Sequence, residues 1–268
     1  MNPLEAAVLG VVQGLTEFLP VSSSGHLVLG KAILGVRESG IAFEVFVHFG
    51  TLLAVVSVFW NDIFKLFQAF LKLIQPHKIP VHYRNDNYFR WLIFIIIATI
   101  PAVIIGLLFE DRIETVFTDP HLVAGMLLIT GTVLLATIFC KRLDKRMGFF
   151  NSIAVGLAQA VAILPGISRS GSTISIALFL GVNSEDAARF SFLLALPAIA
   201  GATLLKIFEL LSVSITREFL LSLIIGTITA YISGFIAIKL LLGIVRKGKL
   251  FWFSAYCFLI GILGLILT

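Results

Sequence analysis

The sequence predicts an all-α membrane protein with six transmembrane helices plus two re-entrant helical hairpins in an inverted-topology repeat, and three observations lead there. Of 268 residues, 59% are hydrophobic and 13% charged, with a mean hydropathy of +1.05; a soluble domain carries about a quarter charged residues. The apolar residues run in long stretches. Segments 91–109, 122–139, 219–242 and 251–267 each approach the roughly 20 residues that cross a bilayer core, where a soluble helical protein would show stripes at 3.6-residue spacing. Finally, two further apolar stretches are broken by Pro, Ser and Gly, and each is a near copy of the other.

In chain order, residues 4–19 run into Leu19-Pro20-Val21-Ser22-Ser23-Ser24-Gly25-His26, and residues 151–164 run into Leu164-Pro165-Gly166-Ile167-Ser168-Arg169-Ser170-Gly171-Ser172. Each is a helix of about 15 residues reaching about 22 Å, short of the roughly 30 Å hydrocarbon core. A proline and polar residues stop it, and a second short apolar run follows. That pattern fits a re-entrant hairpin better than a span. The six spanning segments are 41–60, 91–109, 121–139, 187–208, 219–242 and 251–267. Gln13, Leu19-Pro20 and Ser22-x-Ser24-Gly25 answer Gln159, Leu164-Pro165 and Ser168-x-Ser170-Gly171. A second echo sets 98–106 against 226–234. The chain is thus one membrane domain whose repeat halves cover approximately 1–140 and 150–268, each a hairpin plus three spans. Three being odd, the halves take opposite orientations.

Basic residues set the sidedness. Loops 61–90, 140–150 and 243–250 carry Lys65, Lys72, Lys78, Arg84, Arg90, Lys141, Arg142, Lys145, Arg146, Arg246, Lys247 and Lys249. The opposite face carries Lys31, Arg37, Arg112, Lys206 and Arg217. The richer face is the cytoplasmic one, which places both termini and the mouth of the first hairpin outside and opens the second hairpin inward, with the tips meeting near mid-bilayer. A net charge of +5 and a pI near 9.4 then reflect cytoplasmic loops and no nucleic-acid partner. The N-terminal Met-Asn-Pro-Leu-Glu lacks the basic start of a removable signal peptide. Cys140 and Cys257, in separate apolar segments, do not suggest a disulfide framework.

Irregular backbone at membrane depth must line a protein-enclosed, wet cavity. Ser22 and Ser168 are placed to cap the helices that follow the two prolines, leaving free N–H groups where the helix dipole favours an anion. Ser24, Gly25, Ser170, Gly171 and Ser172 let a ligand approach that backbone closely, and Arg169 supplies a fork suited to phosphate oxygens. Gln13 and Glu17, four apart, share one helical face before the break; Ser23 and His26, three apart, share one after it. Ser23 with His26 is the minimal pair for an activated nucleophile. Glu17 could orient His26, act as acid or base, or hold a divalent cation together with substrate phosphates. Glu44 and His48 either edge the same cavity or form an interfacial pair. Glu185 and Arg189 read as an i,i+4 pair, and Lys239 as a residue that snorkels to the cytoplasm.

Gln13-Gly-Leu-Thr-Glu17-Phe-Leu-Pro-Val-Ser-Ser-Ser-Gly-His26, with Leu164-Pro-Gly-Ile-Ser-Arg169-Ser-Gly, resembles the undecaprenyl-diphosphate phosphatase family linked to bacitracin resistance. The likeness covers essentially the whole chain. It implies a multi-pass enzyme of the bacterial inner membrane that removes one phosphate from undecaprenyl diphosphate, so that the carrier lipid is reused in cell-wall synthesis. It also implies a divalent cation, Mg²⁺ or Ca²⁺, and an active site opening to the outer side. By motif match the family's functional residues fall on Glu17, Ser23, His26 and Arg169. One position departs: Gln13 stands where many members have a first glutamate, leaving Glu17 as the sole clear acidic metal ligand. The nucleophile stays open between Ser23, His26 and water, as does a homodimer. The competing class is a polyprenyl-phosphate flippase or anion transporter using the same midplane site, since broken-helix hairpins in inverted repeats also serve alternating access.

Overall fold

The computed structural model describes residues 2–34, 41–109, 115–116, 119–140, 144–210 and 217–268, with side chains described at all of these except 30–34, 41, 202, 205–210 and 217–218. Of the sequence expectations, those on Arg37, Arg112, Lys141 and Arg142, and on the side chains of Lys31, Lys206 and Arg217, lie outside the described residues. Among the described residues every regular element is helical, and the only extended pairing is an isolated bridge between Lys145 and Val182.

Helix α1 (Pro3–Phe18) starts where its sequence provides a start. Asn2 accepts a hydrogen bond from the Glu5 N–H at 2.8 Å, Glu5 accepts one from the Asn2 N–H at 3.0 Å, and Pro3 occupies the first turn. It stops because Leu19, ahead of Pro20, is extended. After the break the chain continues as α2 (Ser23–Leu34). Helix α3 (Ile41–Val58) bends by 85° into α4 (Trp60–Leu71), so the predicted 41–60 segment ends at the bend. Along α4, Trp60, Phe64, Phe67 and Phe70 are exposed while Asp62 and Ala69 are buried, which makes it two-faced. A short α5 (Ile79–Asn85) follows, and then the long α6 (Asn87–Leu108), capped by Asp86.

A second broken helix follows after another long one. Helix α7 (Pro120–Ala136) precedes α8 (Phe149–Val161) and α9 (Arg169–Phe179), separated by the Leu164-Pro165-Gly166 break. Then come α10 (Ser184–Leu210), α11 (Arg217–Arg246) and α12 (Trp252–Leu267). By length and apolarity 87–108, 120–139 and 219–246 can each cross a membrane, and so can the bent α3–α4 pair taken together. The 16-residue α12 is apolar but shorter. The chain is a multi-pass membrane protein, as its long exposed Leu, Ile and Phe faces require.

Two close approaches fix the packing. Helix α1 lies along α11, and α8 lies along α6. A Cβ placed on Gly10 would stand 2.4 Å from the carbonyl oxygen of Gly226, and one on Gly156 would stand 2.5 Å from that of Ala98. Gly10 and Gly156 occupy matching places before Gln13 and Gln159, while Ala98 and Gly226 open the two echoed segments. The same contact is therefore made twice, each time between one half of the sequence and the other. Small residues at these crossings let the backbones meet, the usual basis of helix association in lipid. The interior is filled by Phe18, Phe59, Phe190 and Phe192, with Phe192 touching Phe59 and Phe18 at ring distances of 5.4 and 5.9 Å.

Candidate active site

The two breaks meet tip to tip. Ser22 takes a left-handed backbone (φ 64°), a conformation that costs an ordinary residue about 1–2 kcal/mol. It is held there by its own hydroxyl, which accepts hydrogen bonds from the Gly166 N–H of the other hairpin at 3.1 Å and from the Gly25 N–H at 3.3 Å. Gly166 takes φ 91° and sits against α7, where a Cβ would lie 2.4 Å from the Val123 carbonyl, so only glycine fits there. Thr130 of α7 ties down the second break: its hydroxyl donates to the Gly166 carbonyl at 2.8 Å and accepts from the Ser168 N–H at 3.1 Å. Ser168 caps α9 as expected, accepting from the Gly171 N–H at 3.1 Å.

Between the tips is a cavity of about 190 Å³. Its walls come from Thr16, Glu17, Ser22, Ser23 and Ser24 on one side and Gln159, Ser168 and Arg169 on the other. Ala102 and Ala198, each following a proline inside its helix, complete it together with Ala162, Ile163 and Ile167 of the second hairpin. Glu17 is the hub. One carboxylate oxygen pairs with Arg169 across the hairpins at 2.5 Å. The other accepts from the Ser23 hydroxyl at 2.8 Å and from the Gln13 amide at 3.0 Å. His48, whose Nδ1–H donates to the Glu44 carbonyl at 2.8 Å, turns Nε2 toward Gln13 at 3.3 Å and Glu17 at 3.9 Å. Of the two readings of Glu44 and His48, the structure thus brings His48 to the edge of the site.

The expected Ser23–His26 pair is not formed. The Ser23 hydroxyl donates its hydrogen bond to Glu17, while His26 turns away: its Nδ1–H donates to the Ser22 carbonyl at 2.8 Å, its Nε2 accepts from the Tyr256 hydroxyl at 2.7 Å, and the two rings stack at 5.5 Å. The reason is local. One turn into α2, the imidazole reaches its own helix-start carbonyl before it reaches Ser23, and α12 supplies the second partner. His26, Gln13, Gly25, Ser170, Gly171 and Ser172 are not in the cavity wall. Gln13 supports Glu17. Gly25 allows the Gly166 backbone to approach, Ser170 lies 3.4 Å from the Ser168 hydroxyl, and Gly171 and Ser172 present backbone N–H groups to Ser168.

Among the described residues, no three His, Cys, Asp or Glu side chains gather as a metal site. The donors near Glu17 are the Ser23 hydroxyl and the Gln13 amide, whose oxygen faces Glu17's surroundings after a half-turn about its last torsion. One carboxylate with neutral oxygens suits a hard cation shared with phosphate oxygens, and is too sparse to hold one alone.

The family model described as bacitracin resistance protein BacA matches residues 6–263. The chain belongs to the BacA family. Its relatives include an undecaprenyl-diphosphatase from Salinibacter ruber, 45% identical over 264 residues covering 97% of each chain. Another, from Halothermothrix orenii, is 43% identical over 272 residues, covering 100% of this chain and 99% of its own. Membership fits the motif resemblance over the whole chain.

Sequence reasoning did not single out Thr130, Tyr256 or the side chain of Gln159. Thr130 and Tyr256 lie in apolar segments distant in sequence, and only the fold brings them near. Gln159 was visible as the repeat partner of Gln13. The Glu185–Arg189 pair exists at 3.7 Å, but Arg189 also bonds the buried Asp62 of α4, which accepts from the Tyr88 hydroxyl at 2.9 Å. This network ties the two-faced α4 to α10.

Proposed function

We propose that this chain hydrolyses undecaprenyl diphosphate to undecaprenyl phosphate and inorganic phosphate, with Ser23 as nucleophile and Glu17 as its base. The observation that carries the reading is the Ser23 hydroxyl donating to a buried, Arg169-paired carboxylate inside a cavity at the junction of two broken helices. The names of the similar proteins supply the substrate class. Ser23 Oγ bonds to the terminal phosphorus as the bond to the bridging oxygen breaks, and its proton passes to Glu17. Undecaprenyl phosphate leaves with that bridging oxygen, and Glu17 returns its proton to solvent. Water then attacks the phosphoserine, Glu17 takes its proton and gives it to the departing Ser23 oxygen, and inorganic phosphate is released.

Arg169 and the amides at the starts of α2 and α9 stabilise the charge on the phosphoryl oxygens, and such electrostatic stabilisation does most to lower the barrier in phosphoryl transfer. His26 acts through position: holding the Ser22 carbonyl, it maintains the left-handed turn that aims Ser23. A Mg²⁺ or Ca²⁺ ion would be held by Glu17 with Ser23, Gln13 and substrate oxygens, and would supply further neutralisation of the diphosphate. Transport as the sole activity is not favoured, because a carrier has no use for a hydroxyl bonded to a buried carboxylate.

The membrane arrangement belongs to the same proposal. Six spans and two re-entrant hairpins form an inverted repeat of halves 1–140 and 150–268, supported by the reciprocal Gly10–Gly226 and Gly156–Ala98 contacts. The excess of basic residues on one face supports a bacterial inner-membrane protein with both termini outside and an outward-opening site.

Phosphate release by purified, detergent-solubilised protein tests the activity, with Mg²⁺, Ca²⁺ or EDTA. Ser23→Ala is expected to lose at least about 100-fold in kcat, and acid quenching of the wild type is expected to trap phosphoserine at position 23. Ser23→Ala with near-normal turnover would instead make water the nucleophile. No release by folded wild-type protein with any cation would remove the hydrolase reading.

A further inference from the structure

We infer that Gln159 is a ligand for the terminal phosphate, a specificity-determining residue that its repeat partner Gln13 is not. The inference rests on the hydrolase reading for the identity of the substrate, but on the structure for the site. Gln159 is 2% exposed, and neither its amide nitrogen nor its amide oxygen has a hydrogen-bond partner. Two unmet groups on one side chain are unusual in a protein interior, where the large majority of buried polar atoms are bonded. The side chain stands in the wall of the 190 Å³ cavity with Arg169, Ser168 and Ser24.

Gln13 provides the internal comparison. At the matching place in the first hairpin, the same amide donates to Glu17 at 3.0 Å and faces His48 at 3.3 Å. The repeat therefore gives one glutamine a protein partner and leaves the other with none. Nothing in the second hairpin plays the part of Glu17: the corresponding stretch reads Ala162-Ile163. The missing partner of Gln159 is then a molecule that enters the cavity, where the charges of Glu17 and Arg169 offset each other and the hydrogen-bond donors decide its kind. Arg169 and the helix-start amides select an anion.

An amide offers a donor and an acceptor at once. Its nitrogen suits a phosphoryl oxygen, and its oxygen suits the proton of a monoprotonated terminal phosphate, whose second pKa is about 6. Gln159 contributes to the cavity wall while its amide atoms are shielded and unpartnered, and the broad terminal torsion of a glutamine lets them reorient toward a ligand at little cost.

The test compares wild type with Gln159→Met, which keeps the volume and removes both polar atoms, and with Gln159→Asn, which keeps the amide. Four quantities are measured: KM and kcat on undecaprenyl diphosphate, the thermal stability of the unliganded protein, and the rise in that stability on adding inorganic diphosphate. The expected result is a KM raised about 10- to 100-fold in Gln159→Met with kcat changed far less. Its unliganded Tm should equal or exceed that of wild type, and its stabilisation by diphosphate should be mostly lost. Gln159→Asn is expected to recover part of the binding. A lower Tm with unchanged KM and unchanged stabilisation by diphosphate would overturn the inference, making the amide a structural group satisfied by trapped water. If wild-type protein bound diphosphate through Gln159 but released no phosphate from the lipid, the hydrolase reading would fail while the phosphate-ligand assignment stood.

Discussion

Separating the two jobs of the Glu17–Arg169 pair requires a double-mutant cycle. The two side chains are 8% and 21% exposed and bridge the hairpins at 2.5 Å. Removing one partner of a buried pair leaves the other charge unmet and costs about 3–5 kcal/mol; replacing both by neutral groups is often close to neutral. Glu17→Gln and Arg169→Met are therefore each expected to lower stability by about 3 kcal/mol, and the double variant to return within about 1 kcal/mol of wild type. The coupling so measured is about 5 kcal/mol in magnitude. Stability is read by denaturant titration in detergent, following a tryptophan signal, and activity by phosphate release. All three variants are expected to be inactive, since each removes a group the chemistry uses. The double variant is the decisive one: folded like wild type and inactive, it assigns both residues to catalysis. Costs that simply add, with the double variant the least stable, would show that the two groups do not meet in the resting protein, and Glu17 could not then be the hub of the site.

Other consequences are more local. Ser22→Gly relieves the left-handed strain but loses the hydroxyl, whereas Ser22→Ala keeps the strain and loses the hydroxyl; thermal unfolding is expected to place Ser22→Ala lower by about 1 kcal/mol. Gly156→Leu is expected to abolish folded yield by driving a side chain into the Ala98 backbone, while Gly125→Ala, with open space around it, is expected to be neutral or mildly stabilising in the same expression and melting assays. Tyr256→Phe keeps the ring stacked on His26 but removes the hydroxyl, so kcat is expected to fall less than in His26→Ala, which also frees the Ser22 turn. Burial draws the Asp86 carboxyl upward, but the Lys72 ammonium and the Phe89 and Tyr88 amides outweigh it and hold it below the ordinary carboxylate value. Its contribution is thus full above that value, near 3.8, and lost as pH falls below it through the lowered one. Asp86→Asn should flatten that acid limb of the stability curve.

The parts of this fold legible in the sequence are those set by short-range chemistry. Pro20 and Pro165 end helices wherever they stand, Asn2 and Ser168 cap because their side chains reach their own helix starts, and the apolar runs are long because lipid demands it. The doubled motif also announced that two breaks belong together. What escaped was direction. Ser23 and His26 sit three apart, and spacing alone puts them on one face, yet His26 bonds the Ser22 carbonyl and Tyr256, some 230 residues away. Likewise the 85° bend after Val58 has no proline to mark it. It follows from α4 turning Asp62 toward Arg189 of α10, a contact no local pattern encodes. The unmet amide of Gln159 looked in sequence just like the satisfied one of Gln13.

The exchange of partners between the halves also sets a schedule for biosynthesis. Helix α1 leaves the ribosome long before α11, the helix that its glycine groove fits. At about 5–20 residues per second, the interval is on the order of ten to forty seconds. For the first part of that time Glu17 waits for Arg169, and to its end for the α11 backbone. A chain interrupted before α11 has no seat for its first hairpin, so no partial product can carry a working centre. Conversely, two separately translated halves should regain one only when made together, since each holds the surface the other needs.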